Sequence, residues 1–141
     1  MIADAEVFLD TDILLYAALG RSQAGGRMAR AREIVLTEDY CTSGQVLAEF
    51  YQNATQKGPK PLSPDKAREW IRIIALKPCQ PGTPEVVLAG IDNAHRYQLS
   101  YWDGAIIAAA ERLGARVVYS EAFEHGRTYG SVRVENPFLP A

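Results

Sequence analysis

Five acidic side chains stand where alternating strands and helices can bring them together. Asp10 and Asp12 interrupt the run Val7-Phe8-Leu9-Asp10-Thr11-Asp12-Ile13-Leu14-Leu15-Tyr16, which reads as a buried strand, a tight turn and a helix. Glu49 falls within a helix that follows a second strand, Asp103 in the first turn of a later helix, and Glu121 just after the strand-like run Arg116-Val117-Val118-Tyr119. Ligands bind at the carboxyl ends of the strands in open parallel sheets, so Asp10 and Glu121 occupy expected positions for site residues. If these elements share one sheet edge, Asp10, Glu49, Asp103 and Glu121 converge. Like charges about 4 Å apart repel by about 4 kcal/mol at an effective dielectric of about 20, so such a cluster binds a cation or holds protons. Carboxylates without histidine or thiolate suit Mg²⁺ or Mn²⁺. His95 and His125 sit apart from these turns and read as surface or packing residues.

Each acid also has a plain structural account. Thr11 or Asp12 can cap the helix that follows, and for Asp12 capping and function weigh equally. Asp103 follows Ser100 by three residues, the spacing of a capping box, and its charge suits the positive end of a helix. Glu49 lies one turn from Gln45 and Asn53 and fits an exposed helix position, although Leu47, Ala48 and Phe50 beside it favour partial burial. Glu121 fits simple loop charge. Their joint placement is more specific than any one of them.

The elements that position these acids are legible in order. A strand ends at Leu9, a short helix covers Ile13 to Leu19, and a second places Met28, Ala29, Ala31, Ile34, Val35 and Leu36 on a buried face. Arg27, Arg30, Arg32 and Glu33 fall opposite, as a solvated face. A strand over Asp39 to Thr42 leads into a helix opened by Ser43-Gly44 and ended by Gly58-Pro59-Lys60-Pro61. Ser63-Pro64-Asp65 and Thr83-Pro84-Glu85 each combine a capping hydroxyl, a proline at the first helical position and an acid in the first turn. The first helix is expected to run to Leu76, with Trp70, Ile71, Ile73 and Ile74 inward, and the second to Tyr97. Lys77 to Gln80 reads as a short edge strand. Ile106, Ile107, Ala109, Ala110 and Leu113 pattern a helix closed by Gly114. Arg116 to Tyr119 and Arg133 to Glu135 complete the strands, and Asn136-Pro137 ends regular structure. The alternation predicts an α/β fold, a three-layer α/β/α sandwich with a mostly parallel central sheet, in a single domain over residues 1–141.

The composition agrees. The chain has 141 residues, 48% hydrophobic and 23% charged, as one globular domain requires. Its net charge of -2 excludes a globally basic nucleic-acid binder while leaving room for a local basic patch. Cys41 and Cys79 are isolated from each other in sequence and lack a CxxC spacing, which argues against zinc and for reduced, half-buried thiols in a cytoplasmic protein. Asp4 and Glu6 replace the basic and apolar regions of a signal peptide. No apolar run approaches the roughly 20 residues that span a bilayer, so no membrane association is expected.

The order VFLDTDILLYA, VLAEF, LSYWDGAIIAAA and VVYSEAFEHG resembles the PIN-domain ribonucleases, particularly VapC-type toxins of bacterial toxin–antitoxin pairs, over nearly the whole chain. The resemblance implies Mg²⁺- or Mn²⁺-dependent cleavage of RNA, with Asp10, Glu49 and Asp103 matching the first three acids and acting as metal ligands. Asp12 matches a position where small polar residues are common, so it supports the site alongside Thr11 and Ser120. The fourth motif departs from the pattern. In Ser120-Glu121-Ala122 an alanine occupies the expected acid position, which weakens any second-metal site unless Glu121 turns inward or acts through water. Natural divergence and an introduced inactivating change both account for Ala122.

The mechanism so implied is attack of metal-activated water on a phosphodiester, without a side-chain nucleophile. Arg21, Arg27, Arg30 and Lys57 are candidates for offsetting the negative site, although helical arginines are usually just solvated. Tyr16, Tyr101 and Trp102 offer stacking faces for bases, with core packing as the commoner use. The resemblance also implies a homodimer and a masking antitoxin, with the helices between Ala24 and Lys57 as docking surfaces. Two other functions stand beside the nuclease. Asp10-Thr11-Asp12 also resembles the nucleophile motif of haloacid-dehalogenase-like phosphatases, but Ile13-Leu14 replaces the expected Gly-Thr and the late paired-acid motif is missing. With Ala122, the domain also fits a non-catalytic module that binds RNA or an antitoxin.

Overall fold

The computed structural model describes residues 6–19 and 26–140. Twelve elements follow one another: β1 (Val7–Leu9), α1 (Thr11–Leu19), α2 (Arg27–Thr37), β2 (Tyr40–Ser43), α3 (Gly44–Gln56), α4 (Pro64–Ile74), β3 (Cys79–Gln80), α5 (Pro84–Tyr97), α6 (Tyr101–Arg112), β4 (Val117–Tyr119), β5 (Thr128–Tyr129) and β6 (Val132–Glu135). The strands form one sheet in the order β3-β2-β1-β4-β6-β5. All neighbours are parallel except β5 and β6. This is the expected α/β/α sandwich. β1 is central, and its Phe8 and Leu9 are fully buried, as is Val118 of β4.

The chain winds from β1 outward through β2 to β3, then returns to place β4 on the other side of β1. β1 and β4 therefore flank a switch point, where the outgoing segments diverge and leave a crevice. Leu9 pairs with Tyr119, so Asp10 and Ser120 emerge side by side. The Asp10 N–H continues the ladder by donating to the Tyr119 carbonyl at 3.1 Å.

Helix starts follow their caps. Ser43, Ser63, Thr83 and Ser100 each accept an N–H of the first turn through the side-chain hydroxyl. In α6 every residue from Gly104 to Ala110 is buried. Small side chains allow that crowding, most of all where α6 crosses α5. A Cβ at Gly104 would run into the Gly90 carbonyl and lie 2.9 Å from the Ala94 backbone nitrogen. The buried Asn93 closes the crossing by donating to the Gly104 carbonyl at 3.1 Å.

Several sequence expectations shift. α1 begins at Thr11 rather than Ile13, and the oxygen serving its first turn is that of Asp10, which accepts the Thr11 N–H at 2.7 Å. α4 ends at Ile74 instead of Leu76, and Ile73 is 59% exposed because the buried stripe runs through Ala67, Trp70, Ile71 and Ile74. Leu36 lies off the stripe of α2 in the same way and is 80% exposed. Ala29 and Ala48 are also exposed. The arginines of α2 are engaged rather than merely solvated: Arg30 pairs with Glu33 and Glu38, and Arg32 donates to the Ala17 carbonyl. Cys41 and Cys79 are free thiols on adjacent strands, close enough for Cys79 to add to the burial that pushes the Cys41 thiol up to about 12. β3 is confined to Cys79–Gln80, and the two-residue β5 carried no signal in the sequence.

Candidate active site

The crevice between β1 and β4 is built from the backbone outward. One Asp10 carboxylate oxygen accepts the Thr11 N–H at 2.7 Å and the other accepts the Ser120 hydroxyl at 2.8 Å. Ser120 is fully buried, and its hydroxyl also accepts the Ala122 N–H at 2.9 Å. Asp10 thus has a donor for each oxygen and is held in one orientation.

Glu49 and Asp103 reach the same region from α3 and α6. Glu49 is half-buried and accepts a hydrogen bond from Gln45 Nε2 at 2.9 Å, while the same amide donates to the Trp102 carbonyl at 3.2 Å. Gln45 therefore ties the start of α3 to the start of α6. The Asp103 N–H donates to Ser100 Oγ at 3.1 Å, so Asp103 does take part in capping α6.

The electrostatics link the three acids. Burial, chiefly, raises the Asp10 carboxyl to about 6; its hydrogen bonds from Ser120 and Thr11 oppose the rise, and the charges of Asp103 and Glu49 add to it. Asp103 is raised by burial and also by Glu49, against the hydrogen bond to Ser100. These causes fit a site that gains from a positive charge, because a cation relieves both burial and mutual repulsion. All the donors are hard oxygens, as Mg²⁺ or Mn²⁺ prefers. Among the described residues no three of these side chains form a ready-made metal cage. Sharing one ion therefore requires the carboxylates to draw closer together than they stand here.

Glu121 belongs to a neighbouring cluster. Its carboxylate lies 2.6 Å from Arg27 Nε and accepts the Tyr16 hydroxyl at 2.8 Å. The Arg27 guanidinium sits 5.8 Å from the Tyr16 ring centre and 5.4 Å from that of Phe138, and the two rings meet edge to face. Asp12 joins this cluster to the crevice by accepting the Glu121 N–H at 2.7 Å. Among the described residues its other carboxylate oxygen is buried without a hydrogen-bond partner. Burial, followed by the charge of Asp10, raises the Asp12 carboxyl to about 7, against the N–H of Glu121. The Thr11 hydroxyl is likewise buried and unpartnered among the described residues.

The remaining candidates separate. Arg27 is committed to Glu121 and Arg30 to Glu33 and Glu38, Lys57 is exposed beyond α3, and Arg21 lies outside the described residues. Ala122 is exposed. His95 is exposed, and His125 accepts the Asn136 N–H at 3.0 Å. Tyr16 and Tyr101 are half-buried, whereas Trp102 is 62% exposed, against the core packing expected of it. Sequence reasoning missed Gln45 as an organising residue. Its spacing of four from Glu49 was the available signal.

The sequence pattern of the PIN domain matches residues 7–122, from β1 through the fourth motif, and the chain belongs to the PIN domain family. Among solved structures, it is similar to VapC20 of Mycobacterium tuberculosis, described as a sarcin–ricin-loop-cleaving toxin. That pair shares 18% identity over 84% of this chain and 89% of the other, with a TM-score of 0.63. A toxin–antitoxin complex from Klebsiella pneumoniae aligns over 94% of this chain and 98% of the other, at 13% identity and a TM-score of 0.69. The DNA-bound VapBC of Salmonella typhimurium aligns over 93% and 97%, at 17% identity and a TM-score of 0.63. At these identities the likeness is one of fold. No curated protein sequence matches the chain.

Proposed function

We propose that this chain is a Mg²⁺- or Mn²⁺-dependent endoribonuclease toxin of the VapC type, neutralised by a cognate antitoxin and acting as a cytoplasmic homodimer. The observation that carries the reading is that the charges of Asp103 and Glu49 both act on the buried Asp10 carboxyl at the switch point of a PIN fold. That solved neighbours include toxins described with their antitoxins supports the partner.

Asp10, Asp103 and Glu49 would hold the ion. When bound, the ion supplies Lewis-acid polarisation of the phosphodiester and a more acidic water. The chain's own groups do the positioning. Thr11 N–H and Ser120 Oγ–H orient Asp10, Gln45 orients Glu49, and Ser100 orients Asp103. Asp12 anchors the loop after β4 through the Glu121 N–H, and Arg27 with Tyr16 fixes the Glu121 side chain. In this reading Glu121 shapes the loop rather than meeting the reacting atoms. Ala122 places no ligand where the family pattern has an acid, so activity is expected to be weak.

The test is cleavage of single-stranded RNA by the purified chain with Mg²⁺ or Mn²⁺, with and without chelator, beside Asp10→Asn. Chelator-sensitive cleavage lost in the variant supports the reading. RNA binding without cleavage, even after Ala122→Asp, would assign a binding module instead. Hydrolysis of a small phosphate ester through a trapped phosphoaspartate would favour the phosphatase.

A further inference from the structure

We infer that Trp102 is a stacking platform for an unpaired nucleobase of the RNA substrate, an assignment that rests on the ribonuclease reading. Trp102 is the most exposed aromatic side chain described, at 62%, and it directly precedes Asp103. Tryptophan is usually largely buried, so an indole left open beside an acidic crevice calls for a reason.

The backbone and one neighbouring ring set where the indole stands. Tyr101 meets it edge to face, with centroids 5.0 Å apart and an interplanar angle of 73°, and the indole stays 62% exposed beside it. Tyr101 is itself wedged against α5, where a Cβ on Gly90 would come within 3.1 Å of its ring. The Trp102 carbonyl accepts the Gln45 amide that also orients Glu49. The backbone that carries the indole is thus tied to the residue that orients Glu49, and it directly precedes Asp103, which sets the ring beside the acids.

Charge explains why stacking is the suitable contact. The crevice is acidic, and Arg27 and Arg30 are matched by Glu121, and by Glu33 and Glu38. Phosphate contacts from these arginines are therefore poorly placed to supply affinity, whereas a base has an uncharged face that any exposed ring can cover.

The probe is a single-stranded RNA 12-mer containing all four bases and 2′-O-methylated throughout, so that it binds without being cut. Binding is read by tryptophan fluorescence and by anisotropy of a labelled strand; cleavage of the unmodified strand and light scattering are run in parallel. Wild-type emission is expected to quench on binding, and the quench to disappear in Trp102→Phe, which retains affinity to within about threefold. Trp102→Ala is expected to weaken binding about tenfold or more, equally at low and moderate salt, because stacking releases no counterions. Its loss in cleavage falls on KM more than on kcat, and its melting temperature stays that of the wild type. Wild-type affinity and KM in Trp102→Ala would overturn this assignment alone and leave the ribonuclease reading standing. Loss of affinity accompanied by a change of oligomeric state would assign the ring to a protein interface and also overturn it. A wild-type chain that neither binds nor cleaves RNA would remove the ribonuclease reading, and this assignment with it.

Discussion

Replacing Asp10 with asparagine is expected to abolish cleavage and, at alkaline pH, to stabilise the fold. The Asp10 carboxyl titrates near 6 in the folded chain against 3.8 ordinarily. Its folded value is raised, so the associated stability is fully present below about 3.8 and is lost as pH rises through about 6. The difference of roughly two pH units corresponds to about 3 kcal/mol of destabilisation by the ionised form at pH 8. Asparagine does not titrate, and its carbonyl can keep the Thr11 N–H bond. Its amide, however, faces a Ser120 hydroxyl that now donates to Asp10 and must instead accept, a rearrangement worth about 1 kcal/mol. Asp10→Asn is therefore expected to be more stable by about 2 kcal/mol at pH 8, or roughly 5 °C in melting temperature for a domain of this size. The advantage disappears near pH 4, where wild-type Asp10 is protonated. Asp12 reinforces the trend, since the Asp10 charge is one cause of its own raised value. Thermal unfolding of both proteins at pH 4, 6 and 8 without divalent ions measures the effect. An Asp10→Asn chain no more stable than wild type at pH 8, or equally stabilised at pH 4 and 8, would refute the reasoning.

Restoring an acid by Ala122→Asp is expected to raise Mg²⁺-dependent RNA cleavage about tenfold or more, the scale on which residues around a metal act; unchanged turnover would show that the position is not limiting. Arg27→Ala and Glu121→Ala are expected to lower cleavage only a few-fold, with the two losses less than additive in a double-mutant cycle because the pair acts as one unit. A loss as complete as that of Asp10→Asn would instead place Glu121 among the reacting groups. Gly104→Ala is expected to destabilise by about 2 kcal/mol, because the added Cβ meets the Gly90 carbonyl and rigid helix backbone. Urea unfolding indistinguishable from wild type would contradict that close crossing.

What was legible in the sequence is what local pattern controls. Three apolar residues ended by an acid identify β1 and its carboxyl end, and hydroxyl-Pro-acid starts identify α4 and α5, because capping and burial act within a few residues. Side-chain pairings set by the sheet order were not legible. Asp12 meets the Glu121 N–H across 109 positions, and Arg27 meets Glu121 across 94. Only the placement of β4 beside β1 creates those contacts. The same placement separates two acids that the sequence grouped. Asp10 accepts from Ser120 and faces the charges of Glu49 and Asp103, while Glu121, one residue after Ser120, points to Arg27 and Tyr16. Consecutive residues leaving a strand commonly diverge in this way. In the proposed reading a candidate acid one position from its expected place is therefore not a ready substitute for it, and the alanine at 122 is expected to carry more functional weight than the glutamate beside it.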